Sequence, residues 1–293
     1  MNIYEELFAQ YNCNNLNDRQ VRQEVEQLLS THLSSNLNTG VYKSCLSCVD
    51  LTSLNSTDND AQIVKMVQKV NRLSKIFPDA PLPAAICVYP KFISSVKNTL
   101  QVDVKAVAVT GGFPASQTFA EIKIAETSMA VMEGADEIDV VMSVGDFLSG
   151  EYEKVREELE EMKASCRTAP LKVIIESGVL PSASEIKKAS VLAMSAGVDF
   201  IKTSTGKAAV SATPEATYIM CQAIKAWHAK TGERIGIKVA GGIVTVEDAA
   251  THYTIVQQVL GAEWLEHKYF RIGASRLANN LLNKIAGKET KYF

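Results

Sequence analysis

The chain has 293 residues, of which 46% are hydrophobic and 22% charged, ordinary values for a globular protein with a sizeable core. Its formal net charge is −3 with both signs interspersed, so the sequence carries no basic surface of the kind that binds nucleic acid or anionic membranes. No apolar run is long enough to span a bilayer, and residues 1–10 lack the basic-then-apolar order of a signal peptide. We therefore expect a soluble, cytoplasmic protein.

The first 40 residues contain a helical pattern but no clear strand. A stretch from residue 18 to residue 30 begins with a capping Asn or Asp and is rich in Glu, Gln and Arg, which predicts a helix. We expect residues 1–40 to form a helical extension that packs on the following domain rather than a domain of their own.

From residue 41 to residue 293, short β-rich apolar runs alternate with longer segments of helical pattern. The eight runs cover residues 45–51, 84–89, 104–110, 137–143, 171–176, 200–204, 235–240 and 269–273. The helical segments include residues 61–75, 120–133, 151–165, 184–196, 214–230, 246–259 and 275–286. Strands that alternate with helices predict parallel βαβ units, and eight units in about 250 residues match a single-domain (β/α)8 barrel, an α/β fold.

A doubly wound open sheet is the alternative arrangement of the same elements. It is disfavoured because no G-x-G-x-x-G follows the first predicted strand. Polar residues also recur inside several of the predicted strands. We therefore predict the closed barrel.

The cysteines and histidines do not predict a metal site. Cys45 and Cys48 form a C-x-x-C, which suits redox chemistry or half a zinc site, but no second C-x-x-C and no histidine is nearby. Both lie in a run predicted to be a strand, where residues three apart point to opposite faces, so we interpret them as two buried thiols. The four histidines fall outside the predicted strand ends, so no metal-ligand cluster can be assembled from them.

Three predicted strands each carry a lysine, at Lys172, Lys202 and Lys238. Strand interiors rarely contain lysine because burying an unpaired ammonium is costly. We expect Lys202 and Lys238 to point into the barrel from neighbouring strands about 4.8 Å apart. Burial and like charge then both lower lysine pKa, so one amine stays neutral and can attack a carbonyl. The alternative is that the lysines extend to the barrel mouth and only neutralise carboxylates.

A carboxylate is available on the fourth predicted strand, at Asp139. It can hold Lys238 in its charged form and, through a bound water, move protons on a substrate carbon; the alternative is a structural ion pair. Asp50 and Thr52 on the first strand and Cys87 on the second are weaker candidates for contacts to a hydroxylated substrate. Cys87 as a nucleophile would need a nearby base, and none is evident.

The loops after the last three predicted strands are rich in glycine and small polar residues. Glycines let backbone N–H groups approach an anion, and the loops after strands seven and eight are the usual phosphate site of this barrel. Ordinary glycine turns would explain any one of these loops, whereas three in succession favour a phosphate site. The segments are Thr205-Gly206-Lys207, Gly241-Gly242 and Gly273-Ala274-Ser275-Arg276.

Residues 199–207, which read Asp-Phe-Ile-Lys-Thr-Ser-Thr-Gly-Lys, resemble the signature segment of the deoxyribose-phosphate aldolase family. Residues 84–90, 134–141 and 171–176 resemble further segments of the same family, in the same order. The resemblance runs from about residue 50 to residue 281 and covers all eight predicted strands.

This resemblance implies a lyase of nucleoside and carbohydrate breakdown that reversibly cleaves 2-deoxy-D-ribose 5-phosphate into D-glyceraldehyde 3-phosphate and acetaldehyde. It implies no metal or organic cofactor, and small phosphorylated sugars and aldehydes as the binding partners; a homodimer is compatible with the sequence. By position, Lys202 matches the Schiff-base lysine, Lys238 the second lysine, and Asp139 the aspartate paired with it. Lys172 is a further candidate contact, and positions around the phosphate match Gly206, Lys207, Gly241, Gly242 and Ser275.

The chain departs from the family pattern in the phosphate loops. Val239 and Val244 stand where the family commonly has proline and arginine, and Arg276 stands where it has serine or threonine. We hypothesise that Arg276 restores the positive charge lost at Val244. At the C-terminus, Tyr292 either folds over the mouth near the reacting carbon or belongs to a disordered end.

Two other functions are compatible with these residues. One is a different Schiff-base aldolase or a transaldolase that acts on another phosphosugar. The other is a barrel that binds a phosphosugar without catalysis, which the departures at Val244 and Arg276 make conceivable.

Overall fold

Eight parallel strands close into a barrel, in the computed structural model that describes residues 3–293. Each strand pairs with the next along the chain, and the eighth pairs with the first, which confirms the predicted (β/α)8 fold. The strands are β1 Val49–Thr52, β2 Ala85–Val88, β3 Lys105–Thr110, β4 Glu137–Val141, β5 Leu171–Ile174, β6 Phe200–Lys202, β7 Gly236–Ala240 and β8 Phe270–Ala274.

The helices surround the barrel, and several of them begin at a capping side chain. Asn59 and Thr245 each form a capping box, and Thr213 caps a helix whose first residue is Pro214. The helices are α1 Ile3–Gln10, α2 Asp18–His32, α3 Thr39–Ser47, α4 Asp60–Ile76, α5 Ile93–Thr99, α6 Ala120–Met132, α7 Val144–Leu148, α8 Tyr152–Ser165, α9 Ala183–Ser195, α10 Pro214–Thr231, α11 Val246–Leu260 and α12 Arg276–Ala286. None of them is long and apolar enough to cross a membrane.

Residues 3–38, which precede α3, contain the helices α1 and α2, of which the sequence pattern predicted α2. Asn17 caps α2 by accepting from the backbone N–H groups of Arg19 and Gln20, and the helix packs against α10 and α11. Asp18 also accepts from the backbone of Ala183 at the start of α9. Residues 1–2 of the predicted extension lie outside the described residues.

The predicted start of the first strand, at residue 45, is wrong. Residues Thr39–Ser47 form α3, whose N-terminus is capped by the side chain of Asn38, and β1 begins only at Val49. Residues 45–47 are helical despite their β-rich composition, because they continue a helix that begins at Thr39 and is capped by Asn38. Cys45 and Cys48 are both buried free thiols, as the simpler of the two interpretations predicted.

The barrel interior is divided into an apolar side and a charged side. Ala85, Cys87, Val107 and Val109 from β2 and β3 form a small cluster of their own with Leu54. On the other side, the strand register places Asp139 beside Lys172, Lys202 beside Lys238, and Lys238 beside Arg271. The outward residues between them, such as Ile138 and Val173, pack into the main core under the helices.

Candidate active site

Two lysine side chains converge on one carboxylate oxygen inside the barrel. Lys202 Nζ lies 2.8 Å from Asp139 Oδ2, and Lys238 Nζ lies 2.7 Å from the same oxygen. The residues come from β6, β7 and β4, whose alternation turns all three side chains inward. Asp139 and Lys238 have no exposed surface, whereas Lys202 is 3% exposed and lines the cavity above it.

Six charged side chains form a closed ring beneath Lys202, with acid and base alternating. Lys238 pairs with Asp50 at 2.5 Å, and Lys172 pairs with Glu137 at 2.6 Å. Arg271 joins Asp50 to Glu137 through contacts of 2.7 Å and 2.6 Å, and Lys172 returns to Asp139 Oδ1 at 3.1 Å. In order, the ring is Asp139, Lys238, Asp50, Arg271, Glu137 and Lys172.

The ring has three positive and three negative members, so Lys202 is the additional cation attached to it. Burying a net charge costs free energy, and loss of one proton from Lys202 removes that charge. Burial lowers the pKa of Lys202, the neighbouring Lys238 lowers it further, and Asp139 only partly opposes them, so the pKa lies below the ordinary 10.5.

Lys238 and Asp139 keep their charges. Burial alone would lower the pKa of Lys238, but Asp139 and Asp50 together raise it above the ordinary lysine value. Burial likewise opposes ionisation of Asp139, but Lys172, Lys202 and Lys238 hold the pKa of its carboxyl well below the usual range. The site therefore places a lysine that loses its proton easily next to one that keeps it.

A cavity of about 890 Å³ opens above Lys202 at the carboxyl ends of β1, β6, β7 and β8. The predicted nucleophile lines it together with most of the predicted substrate contacts: Lys202, and Thr52, Thr205, Gly206, Lys207, Gly241, Gly242, Ser275 and Arg276. Val244 lines the same cavity as Arg276, and compensation of charge between these two positions stays a prediction.

The loops after β6 and β7 touch at two glycines. Gly206 and Gly241 have φ angles of 76° and 83°, in the left-handed region that favours glycine. A Cβ on Gly241 would lie 2.5 Å from the Cβ of Ser211 and 3.0 Å from the Cα of Gly206. The close approach leaves backbone on the cavity wall, which suits an anion held by N–H groups.

Glu176 fixes the loop after β6, a role that the sequence interpretation missed. Its carboxylate accepts from the backbone N–H of Thr205 at 3.1 Å and from the Thr205 hydroxyl at 2.6 Å. Thr205 Oγ1 in turn accepts from the N–H of Lys207 at 3.0 Å. Glu176 has a φ of 50°, a strained backbone for a residue other than glycine, and such strain often marks a functional site.

Three predicted substrate contacts lie beneath the cavity instead of lining it. Asp50 and Lys172 are fully buried members of the ring, and Cys87 is buried in the apolar cluster, where burial raises the pKa of its thiol. Their direct contact with substrate stays a prediction. Among residues 3–293, no group of three or more His, Cys, Asp or Glu side chains is arranged to hold a metal ion.

The sequence profile described as DeoC/LacD family aldolase matches residues 45–279, which include all of the barrel strands. The chain belongs to the DeoC/LacD family of aldolases. A Caenorhabditis elegans protein named "Putative deoxyribose-phosphate aldolase" is 38% identical over 267 residues, which make up 89% of this chain and 88% of that protein.

Solved structures resemble this DeoC/LacD aldolase over most of its length. A structure titled as a putative deoxyribose-phosphate aldolase from Coccidioides immitis is 25% identical, with a TM-score of 0.71, and the match covers 93% of this chain and 99% of that one. A structure titled "QR15, an Aldolase" is 28% identical, with a TM-score of 0.66, over 83% of this chain and 96% of that one.

Two members of the ring in this DeoC/LacD aldolase, Glu137 and Arg271, were not predicted from the sequence. Both are charged residues inside apolar strands, the same signal that pointed to the three lysines. If every charged residue in every predicted strand had been considered, this signal would have identified Glu137 and Arg271 as well. Lys65, Lys69 and Lys291, which also line the cavity, lie on helices or near the chain end, where lysine is unremarkable.

Tyr292 belongs to a packed C-terminal end, so the alternative of a disordered end is wrong, and its side chain does not line the cavity above Lys202. Its closure over the reacting carbon stays a prediction. Its hydroxyl donates to the backbone oxygen of Lys69 on α4 at 2.6 Å, and its ring packs edge-on against Phe77. Asn279 on α12 accepts from the N–H of Tyr292 at 2.7 Å. The contacts hold the tail along the cavity, where Lys291 and Phe293 form part of the wall.

Proposed function

We propose that this chain is a class I deoxyribose-phosphate aldolase with Lys202 as the Schiff-base nucleophile. The observation that carries the proposal is the position of Lys202 as the additional cation on a balanced ring of ion pairs, at the base of an open cavity. Imine formation requires a lysine whose pKa is lowered, so that the neutral amine is more abundant, and whose nitrogen can meet a ligand directly.

The cleavage reaction begins with attack of neutral Lys202 on the C1 aldehyde of the open-chain sugar. The carbinolamine loses water to give an imine, whose protonated form draws electrons from the C2–C3 bond. That bond breaks as the 3-hydroxyl loses its proton, and glyceraldehyde 3-phosphate leaves while an enamine stays on Lys202. Protonation of the enamine carbon and hydrolysis of the resulting imine free acetaldehyde and restore the amine.

Asp139 and Lys238 assist this sequence by handling protons. Asp139 Oδ2 lies within hydrogen-bond distance of both lysine nitrogens, so it can relay a proton through a substrate-bound water to the enamine carbon. Lys238 stays charged and favours the carboxylate form of Asp139 between steps. The balanced ring beneath them holds both side chains in place.

The phosphate of the sugar is assigned to the glycine-rich loops after β6, β7 and β8. Backbone N–H groups around Gly206, Gly241 and Gly242 and the hydroxyl of Ser275 are the donors, and Lys207 and Arg276 add charge. The names of the C. elegans relative and of the Coccidioides immitis structure support this substrate over other phosphosugars.

Borohydride trapping with acetaldehyde, followed by peptide mass spectrometry, tests the chemistry. We expect an adduct on Lys202 in the wild type and in the surface variant Lys75→Met. In a Lys202→Met variant we expect no adduct in the barrel, including none on Lys238. A coupled assay for glyceraldehyde 3-phosphate released from 2-deoxyribose 5-phosphate tests the substrate. Ligand binding without any adduct would indicate a barrel that binds a phosphosugar without catalysis. A dihydroxyacetone unit trapped on Lys202 when a ketose phosphate replaces acetaldehyde would indicate a transaldolase.

A further inference from the structure

The charged side chains that line the cavity above Lys202 all have the same sign. They are Lys65, Lys69, Lys202, Lys207, Arg276 and Lys291. None of the Asp or Glu side chains in residues 3–293 lines this cavity. A concave surface with one sign of charge attracts ions of the opposite sign, so the cavity favours a strongly anionic ligand.

Two of these cations, Lys65 and Lys69, belong neither to the buried ring nor to the glycine loops. They lie four residues apart on α4, so both project from the same face of the helix and repel each other. The helix has no acidic residue after Asp60, and neither lysine forms an ion pair within residues 3–293. An anion in the cavity would offset this repulsion.

The loop after β7 brings no charge to the cavity. Its lining residues are Gly241, Gly242, Ile243 and Val244, of which the glycines offer only backbone N–H groups. A phosphomonoester carries about −1.5 to −2 charges at neutral pH, which neutral donors stabilise less than cations do. The helix α4 follows β1, and β1 pairs with β8, so α4 reaches the same cavity from the adjacent side of the barrel.

We propose that Lys65 and Lys69 form a cationic wall that binds the phosphate of the substrate and sets the preference for phosphorylated over unphosphorylated sugars. The identity of the substrate rests on the proposed function. The two lysines act on binding only, because they belong to an outer helix and form no ion pair with the ring that lowers the pKa of Lys202.

The test is the double variant Lys65→Met/Lys69→Met, which keeps the aliphatic stems and removes both charges. We expect the KM for 2-deoxyribose 5-phosphate to rise about tenfold or more, from the loss of charged contacts to phosphate. The KM for unphosphorylated 2-deoxyribose and the rate of acetaldehyde trapping on Lys202 should stay unchanged. Lys75→Met is the matched control, since it removes the same charge from the same helix outside the cavity.

Calorimetry with inorganic phosphate gives a second readout that needs no turnover. We expect its Kd to rise in the double variant and to stay the same in Lys75→Met. An unchanged Kd and an unchanged KM in the double variant would overturn the cationic wall, as would equal rises in KM for both sugars. If the wild type forms no Lys202 adduct, the proposed aldolase fails, and the phosphate Kd alone then decides whether the wall exists.

Discussion

Lys202 and Lys238 share one oxygen of Asp139, but only Lys238 has a second carboxylate, Asp50, at 2.5 Å. This asymmetry decides which of the two amines keeps its proton. Two carboxylates hold Lys238 as an ammonium, and its charge together with burial favours the neutral form of Lys202. The position of Asp50 on β1 thus determines which lysine is the nucleophile and which stays charged.

The first prediction concerns the pH dependence of imine formation. In Lys238→Met, Lys202 loses its like-charged neighbour and keeps the attraction of Asp139, so the pKa of Lys202 rises and less of the neutral amine is present at a given pH. We expect the pH profile of borohydride trapping with acetaldehyde to shift to higher pH than in the wild type. Lys75→Met serves as the control, and an unshifted or acid-shifted profile would contradict the proposed electrostatics.

The second prediction concerns stability. Asp139→Asn removes one charge from the ring and leaves three lysines around a neutral amide, which should cost about 3–5 kcal/mol of unfolding free energy at neutral pH. Folding lowers the pKa of Asp139, so ionised Asp139 contributes to the free energy of unfolding. This contribution is fully present above the pKa of about 3.9 in the unfolded chain and is lost as the pH falls through the lower pKa in the folded chain. The difference from wild type should therefore shrink in strong acid.

Urea unfolding at several pH values measures this difference. Asp103→Asn is the matched control, because it breaks an exposed ion pair with Lys105 that should contribute at most about 1 kcal/mol. A cost for Asp139→Asn no larger than that of the control would show that the ring does not depend on this carboxylate.

Much of this site follows from the sequence because charge inside an apolar strand is a strong signal. Lys202 and Lys238 were placed inside the barrel from strand alternation and the cost of burying an unpaired ammonium, and Asp139 was predicted to pair with Lys238; the structure has all three buried, with Lys238 paired to Asp139. The closure of the ring was not predictable, because it depends on register between strands far apart in the chain, such as β8 with β1 for Arg271 and Asp50. Lys65 and Lys69 could not be singled out from the sequence, because lysines on surface helices are common.

The third prediction concerns Glu176, which holds the loop that carries Gly206 and Lys207. In Glu176→Ala the loop loses two hydrogen bonds to Thr205, so the KM for 2-deoxyribose 5-phosphate should rise about tenfold while acetaldehyde trapping on Lys202 stays unchanged. Glu176→Gln should recover most of the affinity, because its amide can still accept from the Thr205 N–H and donate to the hydroxyl. Equal loss in both variants would mean that the negative charge, and not the loop geometry, matters.

The last prediction concerns the tail, where Tyr292 acts as an anchor and not as a proton donor. Its hydroxyl donates to the backbone of Lys69, so it is already engaged away from Lys202. Tyr292→Phe keeps the ring on Phe77 and removes one hydrogen bond, which should lower stability by about 1 kcal/mol and leave acetaldehyde trapping unchanged. The KM for the phosphorylated sugar should rise only a few-fold, because Lys291 and Phe293, which line the cavity beside Tyr292, become less firmly held. A large fall in kcat on unphosphorylated 2-deoxyribose, with KM unchanged, would show instead that the hydroxyl takes part in the chemistry.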